Sequence, residues 1–166
     1  MRIAIGAIGR MKAGPERDLV ARYLDRAGAS GKSLGLSGFD VLESTESRAG
    51  SAAARKAEEA KALRALLPEG IVVVLDERGK SMDSEAFARR LARWRDDSRP
   101  ALSFVIGGAD GLDPAFVGAA DLALSFSPMV WPHQLVRIML AEQLYRATTI
   151  LTGHPYHRGN ERPNHG

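Results

Sequence analysis

A chain of 166 residues has the length of one domain and can bury a sizeable core. Its net charge of +3 permits a nucleic-acid partner without demanding one, and the absence of cysteine excludes a disulfide framework, a thiolate metal site and a cysteine nucleophile. No stretch approaches the ~20 apolar residues of a membrane span, and the opening MRIAIGAIGRMKAG is too short and glycine-broken for a secretory core, so the expected location is the cytoplasm.

Residues 2–8, RIAIGAI, read as a strand that turns between Gly9 and Gly14. Pro15 opens a helix with Glu16 and Asp18 at its positive end and Leu19, Val20, Tyr23, Leu24 and Ala27 on one face. Four glycines within 28–38 predict a loop, followed by a short strand over Phe39–Leu42. Residues 44–67 predict a helix, with propensity high after Gly50, and Pro68-Glu69-Gly70 stops it. Ile71–Leu75, a continuous β-branched run, predicts a strand covered on both faces, as in parallel sheets. A polar loop follows, and Asp83 or Ser84 caps a helix whose apolar stripe is Phe87, Leu91 and Trp94. Its Arg89, Arg90, Arg93 and Arg95 point elsewhere, as a solvated face or as a phosphate-contacting surface.

Leu102–Ile106 is a second buried strand, ended by the loop Gly107–Leu112, and Asp113-Pro114 starts a short helix reaching Ala120. Leu122–Phe126 is a third. Trp131-Pro132 then marks a helix entry and Gly153 with Pro155 its exit. Apolar residues surround almost the whole circumference of this last helix, which reads as core, or core plus interface. A narrow polar stripe of His133, Arg137 and Thr148, with Gln134 at its edge, asks for partners.

Strands alternating with helices imply a single α/β domain, a mostly parallel sheet flanked by helices. The loops at 76–83, 107–112 and 127–131 leave the carboxyl ends of its strands, where open α/β sheets bind ligands. Within GGADGL the glycines either present backbone to a ligand or make a tight turn. Neither GxGxxG nor a P-loop is present, which disfavours dinucleotide binding and P-loop hydrolysis. His154 and His157, with Glu161 or His165 beyond, suggest a metal site, but Pro155 and the terminal position disfavour a rigid ligand set, and no metal is expected. Ser125 or Ser127 with His133 lacks a GxSxG elbow. Tyr156-His157-Arg158 joins a stacking ring, a titratable group and a guanidinium, which suits an RNA base and its phosphate; the alternative is an unstructured terminus.

LDERGK at 75–80, FVIGGADGL at 104–112, SPMVWPHQLVRIMLAEQLYRA at 127–147 and GHPYHR ending at 158 together resemble the RlmH-type ribosomal RNA large-subunit methyltransferases of the SPOUT superfamily. The resemblance covers nearly the whole chain and is tightest from Leu75 to Arg158. It implies an S-adenosylmethionine-dependent enzyme that methylates N3 of a pseudouridine in helix 69 of 23S rRNA on the assembled 70S ribosome. It also implies a homodimer and one domain over residues 1–166, with a C-terminal trefoil knot in the cofactor-binding part, 74–158. By position, the implied cofactor pocket comprises Leu75, Gly107, Gly108, Phe126, Ser127, Pro128, Met129, Val130 and Trp131.

Loss of the weakly acidic N3 proton calls for a base or a stabilising charge. Candidates are Glu142 or His133 as base, Arg137 and Arg158 to stabilise charge, and Tyr156 or His157 to hold the nucleobase. The competing readings are a methyltransferase of another RNA such as tRNA, and a non-catalytic ribosome-binding relative. Eight residues, GNERPNHG, follow Arg158.

Overall fold

Residues 1–158 are described in a computed structural model, so the segment Gly159–Gly166, with the candidate ligands Glu161 and His165, lies outside the described residues. Five strands, β1 (Arg2–Ile8), β2 (Ser37–Ser44), β3 (Ile71–Lys80), β4 (Ala101–Ile106) and β5 (Leu122–Leu124), form one sheet. Its order is β2-β1-β4-β3-β5 and every pairing is parallel. The helices are α1 (Pro15–Gly31), α2 (Ala52–Leu66), α3 (Ser84–Asp96), α4 (Pro114–Ala119) and α5 (His133–Thr152).

Side chains alternate across the pleat, so neighbouring β-branched residues feed two different cores. Val73 and Phe104 face a large cluster with Val20 and Leu24 of α1, Phe87 and Leu91 of α3, and Leu140 and Leu144 of α5. Val74 and Val105 face a smaller one with Ala60 and Leu63 of α2 and Phe116 of α4. This two-sided covering is what the unbroken apolar runs predict. Caps also fall as expected: Asp83 accepts from the Ala86 N–H at 2.7 Å, Asp113 from those of Ala115 and Phe116, and Gly153 closes α5 in the left-handed region. Ser51 accepts from the Ala54 N–H, which starts α2 at Ala52 rather than near 44.

Other boundaries differ from expectation because packing overrides local propensity. Helix α1 continues through the glycines to Gly31, followed by a single 3₁₀ turn, Lys32–Leu34. A Cβ at Gly31 would stand 3.2 Å from atoms of both Leu36 and Phe39, so glycine lets the next strand close on the helix. Strand β2 is longer than Phe39–Leu42 and enters through a bulge. Ile3 pairs with Gly38 and Ala4 with Asp40, leaving Phe39 unpaired at φ 62° with its ring buried. Strand β3 runs through the expected polar loop, and Leu124 of β5 pairs with both Leu75 and Lys80. Residues 76–79 therefore blister out between two fixed points. At Gly79 a Cβ would lie 2.6 Å from the Ala123 carbonyl carbon, so only glycine passes there.

Candidate active site

The carboxyl ends of β3, β4 and β5 converge on one cleft of about 310 Å³. Leu75, Gly107, Gly108 and Phe126 line it, as do Ser127, Met129, Val130 and Trp131. Of the pocket residues expected from sequence, only Pro128 is not on the lining; it sits exposed in the same loop. The floor is apolar, with Ile106, Leu124 and Val136, whereas Asp76, Glu77 and Asp110 bring acidic groups to it. At Gly107 a Cβ would come 2.9 Å from the Gly111 carbonyl carbon, and at Gly108 one would come 3.0 Å from Ile8 Cγ2. The loop therefore lies bare against its neighbours, and its Gly111 N–H donates to the Gly108 carbonyl at 3.0 Å.

Two fasteners hold this cleft, and sequence reasoning assigned neither. The buried Ser125 hydroxyl lies 3.1 Å from the Glu77 carbonyl and 2.9 Å from the Ser127 carbonyl, so it ties the loop after β5 to the blister in β3. It also ends β5 two residues before the expected Phe126. Arg55 of α2 grips Asp110 with two hydrogen bonds, 2.7 and 3.1 Å, and donates to the Ala49 carbonyl. That guanidinium holds the Asp110 carboxyl below the usual range. No local pattern marks either contact, because Arg55 and Asp110 are brought together only by the fold.

The catalytic candidates do not form a single group. His133, at the start of α5, lines the strand-end cleft. Arg137 does not: it is 4% exposed, binds Glu43 at 2.6 Å and donates to the carbonyls of Ile8 and Gly9. Burial pushes the Glu43 carboxyl up, but the hydrogen bonds from Arg137 and from the Met11 N–H outweigh it and leave the group below its ordinary value. The expected charge stabiliser is thus consumed in tying α5 to the end of β1 and to β2. Thr148 needs no external partner either, since its hydroxyl donates to the Tyr145 carbonyl of its own helix.

Glu142 stands nine residues beyond His133, about 13 Å along the helix axis. It lies on a second cleft, of about 550 Å³, whose wall includes Leu124 and Phe126 of the first. Its Oε1 accepts from Arg146 Nε at 2.9 Å and the Tyr156 hydroxyl at 3.1 Å, and its Oε2 accepts from Gln143 at 3.0 Å. Gln143 in turn accepts from Ser84 at 2.8 Å. Arg146 Nη2 also donates to Oε1, so four donors meet the roughly four lone-pair positions of the carboxylate, and one of them must give way before Glu142 can take a proton. Arg146, which the sequence analysis did not single out, is the cation here; its i, i+4 spacing from Glu142 is the signal that could have found it. Burial, followed by the Glu142 charge, pushes the Tyr156 hydroxyl well above its ordinary value, so it stays a protonated donor.

The tail beyond Gly153 is therefore docked on α5. The Tyr156 ring packs 4.5 Å from that of Tyr145 and under Arg146, and His157 Nδ1 lies 3.2 Å from Arg146 Nη1. His154 accepts from the Tyr156 N–H, and Arg158 is exposed. Among the described residues, no three His, Asp or Glu side chains gather as a metal site, and no helix is long and apolar enough to cross a membrane.

A family model described as "Predicted SPOUT methyltransferase" matches residues 1–157. The chain is 58% identical to the ribosomal RNA large subunit methyltransferase H of Rhodopseudomonas palustris (strain HaA2), over 95% of this chain and 99% of that protein. It is equally similar, 58% over the same shares, to the protein of that name from Rhizobium meliloti (strain 1021). Among solved structures, a probable methylase family protein from Haemophilus influenzae Rd KW20 aligns with a TM-score of 0.48 at 12% identity, covering 95% of this chain and 70% of that one, too distant a likeness to decide anything.

Proposed function

The chain belongs to the SPOUT methyltransferase family, and within it to the ribosomal RNA large subunit methyltransferase H group; from that premise we propose that it methylates N3 of a pseudouridine in helix 69 of 23S rRNA, on the assembled 70S ribosome in the cytoplasm, using S-adenosylmethionine. The observation that carries the proposal is the convergence of three strand-end loops, 75–77, 107–112 and 126–131, on one cleft with an apolar floor and an acidic rim.

That cleft fits the cofactor by the chemistry of its lining. The bare backbone at Gly107 and Gly108 admits a ribose or methionyl chain at close range, and Leu75, Leu124 and Phe126 offer apolar surface to an adenine. Asp76 and Glu77 suit the ammonium and sulfonium charges, and Glu77 has no ion-pair partner among the described residues. When bound, the cofactor supplies an electrophilic methyl group. The chain's own contribution is to orient the nucleobase and remove its N3 proton. Glu142 is the base in this proposal, paired with Arg146 and aimed by Gln143, while Tyr156 and His157 hold the nucleobase and His133 borders the methyl donor. Arg158, exposed and in no ion pair among the described residues, is the phosphate contact, and Arg137 has no part in the chemistry.

An exposed apolar run, Met129, Val130, Trp131 and Leu135, supports the homodimer. The knot of 74–158, within a single domain of 1–166, belongs to the same reading and rests on the family membership.

The test incubates unmodified 70S particles, free subunits and tRNA with the purified protein and labelled cofactor, then maps the label by mass. Label at one large-subunit pseudouridine, preferentially in 70S particles, is the expected result. Label confined to tRNA would refute the ribosomal assignment, and failure to bind the cofactor in titration calorimetry would refute catalysis altogether.

A further inference from the structure

Helix α3 commits Phe87, Ala88 and Leu91 to the core and lines, with the end of β3, a groove of about 210 Å³. Four of the six residues lining it are cationic, Lys80, Arg89, Arg90 and Arg93, and none is acidic. Arg89 and Arg93 stand one turn apart on the same helix face, a like-charge arrangement that costs helix stability. The fold recovers little of that cost. Arg89 faces Glu85 at 3.5 Å in a pair whose side chains are 61% and 56% exposed, where ion pairing is weak. Arg90 lies over the Trp94 ring at 5.6 Å, which holds the guanidinium without neutralising it. Lys80, Arg90 and Arg93 form no ion pair among the described residues.

Position adds to charge. Met82 lines both this groove and the Glu142 cleft, and Phe126 joins that cleft to the strand-end cleft. The three depressions therefore run on from one another, the Glu142 cleft sharing at least one residue with each of the other two. His157 reaches toward the same helix, 3.9 Å from Glu85.

We propose that this groove seats the phosphodiester backbone of the RNA strand flanking the modified nucleotide. The proposal rests on the RNA-methyltransferase reading above. Arginines suit phosphate because their planar fork donates two hydrogen bonds, and several converging cations release counterions on binding. Backbone contacts of this kind set register and affinity, not sequence choice.

The experiment compares the full-length protein with Arg89→Glu/Arg93→Glu, with Arg89→Lys/Arg93→Lys, and with Lys61→Glu, an exposed charge on α2 across the sheet. Methylation of unmodified ribosomes gives KM and kcat, filter binding of a labelled large-subunit rRNA fragment gives Kd against salt, and calorimetry gives cofactor affinity. For the double reversal, KM and RNA Kd should rise by roughly ten-fold or more, kcat and cofactor affinity should stay within about two-fold, and the log–log salt slope should shrink by about 2 as two phosphate contacts are lost. The lysine pair, which keeps the charge but loses the fork, should keep the wild-type salt slope with Kd raised by no more than about three-fold, and Lys61→Glu should keep wild-type values. A double reversal with unchanged RNA Kd and salt slope overturns the groove, as does an equal loss in Lys61→Glu. If the wild type methylates no RNA, the enzymatic reading falls, and the binding arm alone decides the groove by the same criteria.

Discussion

Replacing Arg137 by methionine separates a structural tether from a catalytic cation. The substitution keeps most of the side-chain volume but removes the donor to Glu43 and to the carbonyls of Ile8 and Gly9. Removing one partner of a buried ion pair costs about 3–5 kcal/mol. The Glu43 side chain is 28% exposed, so water recovers part of that, and a net loss of about 3 kcal/mol is the working figure. For a domain of this size, that lowers Tm by about 6–12 °C. The sign with pH follows from the depressed Glu43 carboxyl. Its contribution is fully present above the unfolded value of 4.5 and disappears as pH falls through the lower folded value. The gap between wild type and variant should therefore be widest near neutrality and narrow below about pH 4.5. Calorimetric unfolding across pH 3–8, with cofactor titration and single-turnover methylation, measures all of this. A variant with wild-type Tm that had nonetheless lost methyl transfer would refute the tether and return Arg137 to the reacting atoms.

Glu142→Gln should slow single-turnover methylation by roughly 10²–10⁴ with cofactor affinity unchanged, because amide replaces base while the shape is kept; an unaltered rate would remove Glu142 from the chemistry. Gly108→Ala places a Cβ 3.0 Å from Ile8 Cγ2 and 3.3 Å from Glu59 Oε2, so the loop must shift. Cofactor Kd measured by calorimetry should weaken by about ten-fold, and an unchanged Kd would mean the loop does not approach the ligand. Arg55→Ala frees Asp110, and amide exchange over 107–111 should quicken while cofactor Kd weakens by up to about five-fold. Unchanged exchange there would show that the ion pair does not hold the loop.

Most of the sheet was legible in the sequence because IVVVL, LSFVI and RIAIGAI carry the continuous apolar pattern that double covering demands. Helix caps at Asp83 and Asp113 were legible for the same local reason. The glycines of 28–38 misled because Gly31 stays helical and serves to admit Leu36 and Phe39, and the DERGK stretch misled because polar residues 76–79 arch between two pairings to one residue. At the site, the pocket loops followed from strand order and from resemblance. Which way each side chain of α5 points did not. Arg137 and Glu142 sit five positions apart and face opposite tasks, one facing the β1 end and the other a cleft. The wheel places both on the same helix but knows nothing of Glu43 or Arg146.

Leu124 and Phe126 form a wall common to the strand-end cleft and the Glu142 cleft. Any change of volume there is transmitted to both chambers at once. If, as proposed, the strand-end cleft holds the methyl donor and the Glu142 cleft the acceptor, trimming Phe126 to admit a bulkier acceptor will carry donor affinity with it, and compensating substitutions should accumulate in the loops of the strand-end cleft. A small molecule wedged at that wall would likewise obstruct both chambers from one point of attachment, which makes those two residues a more economical target than either chamber alone.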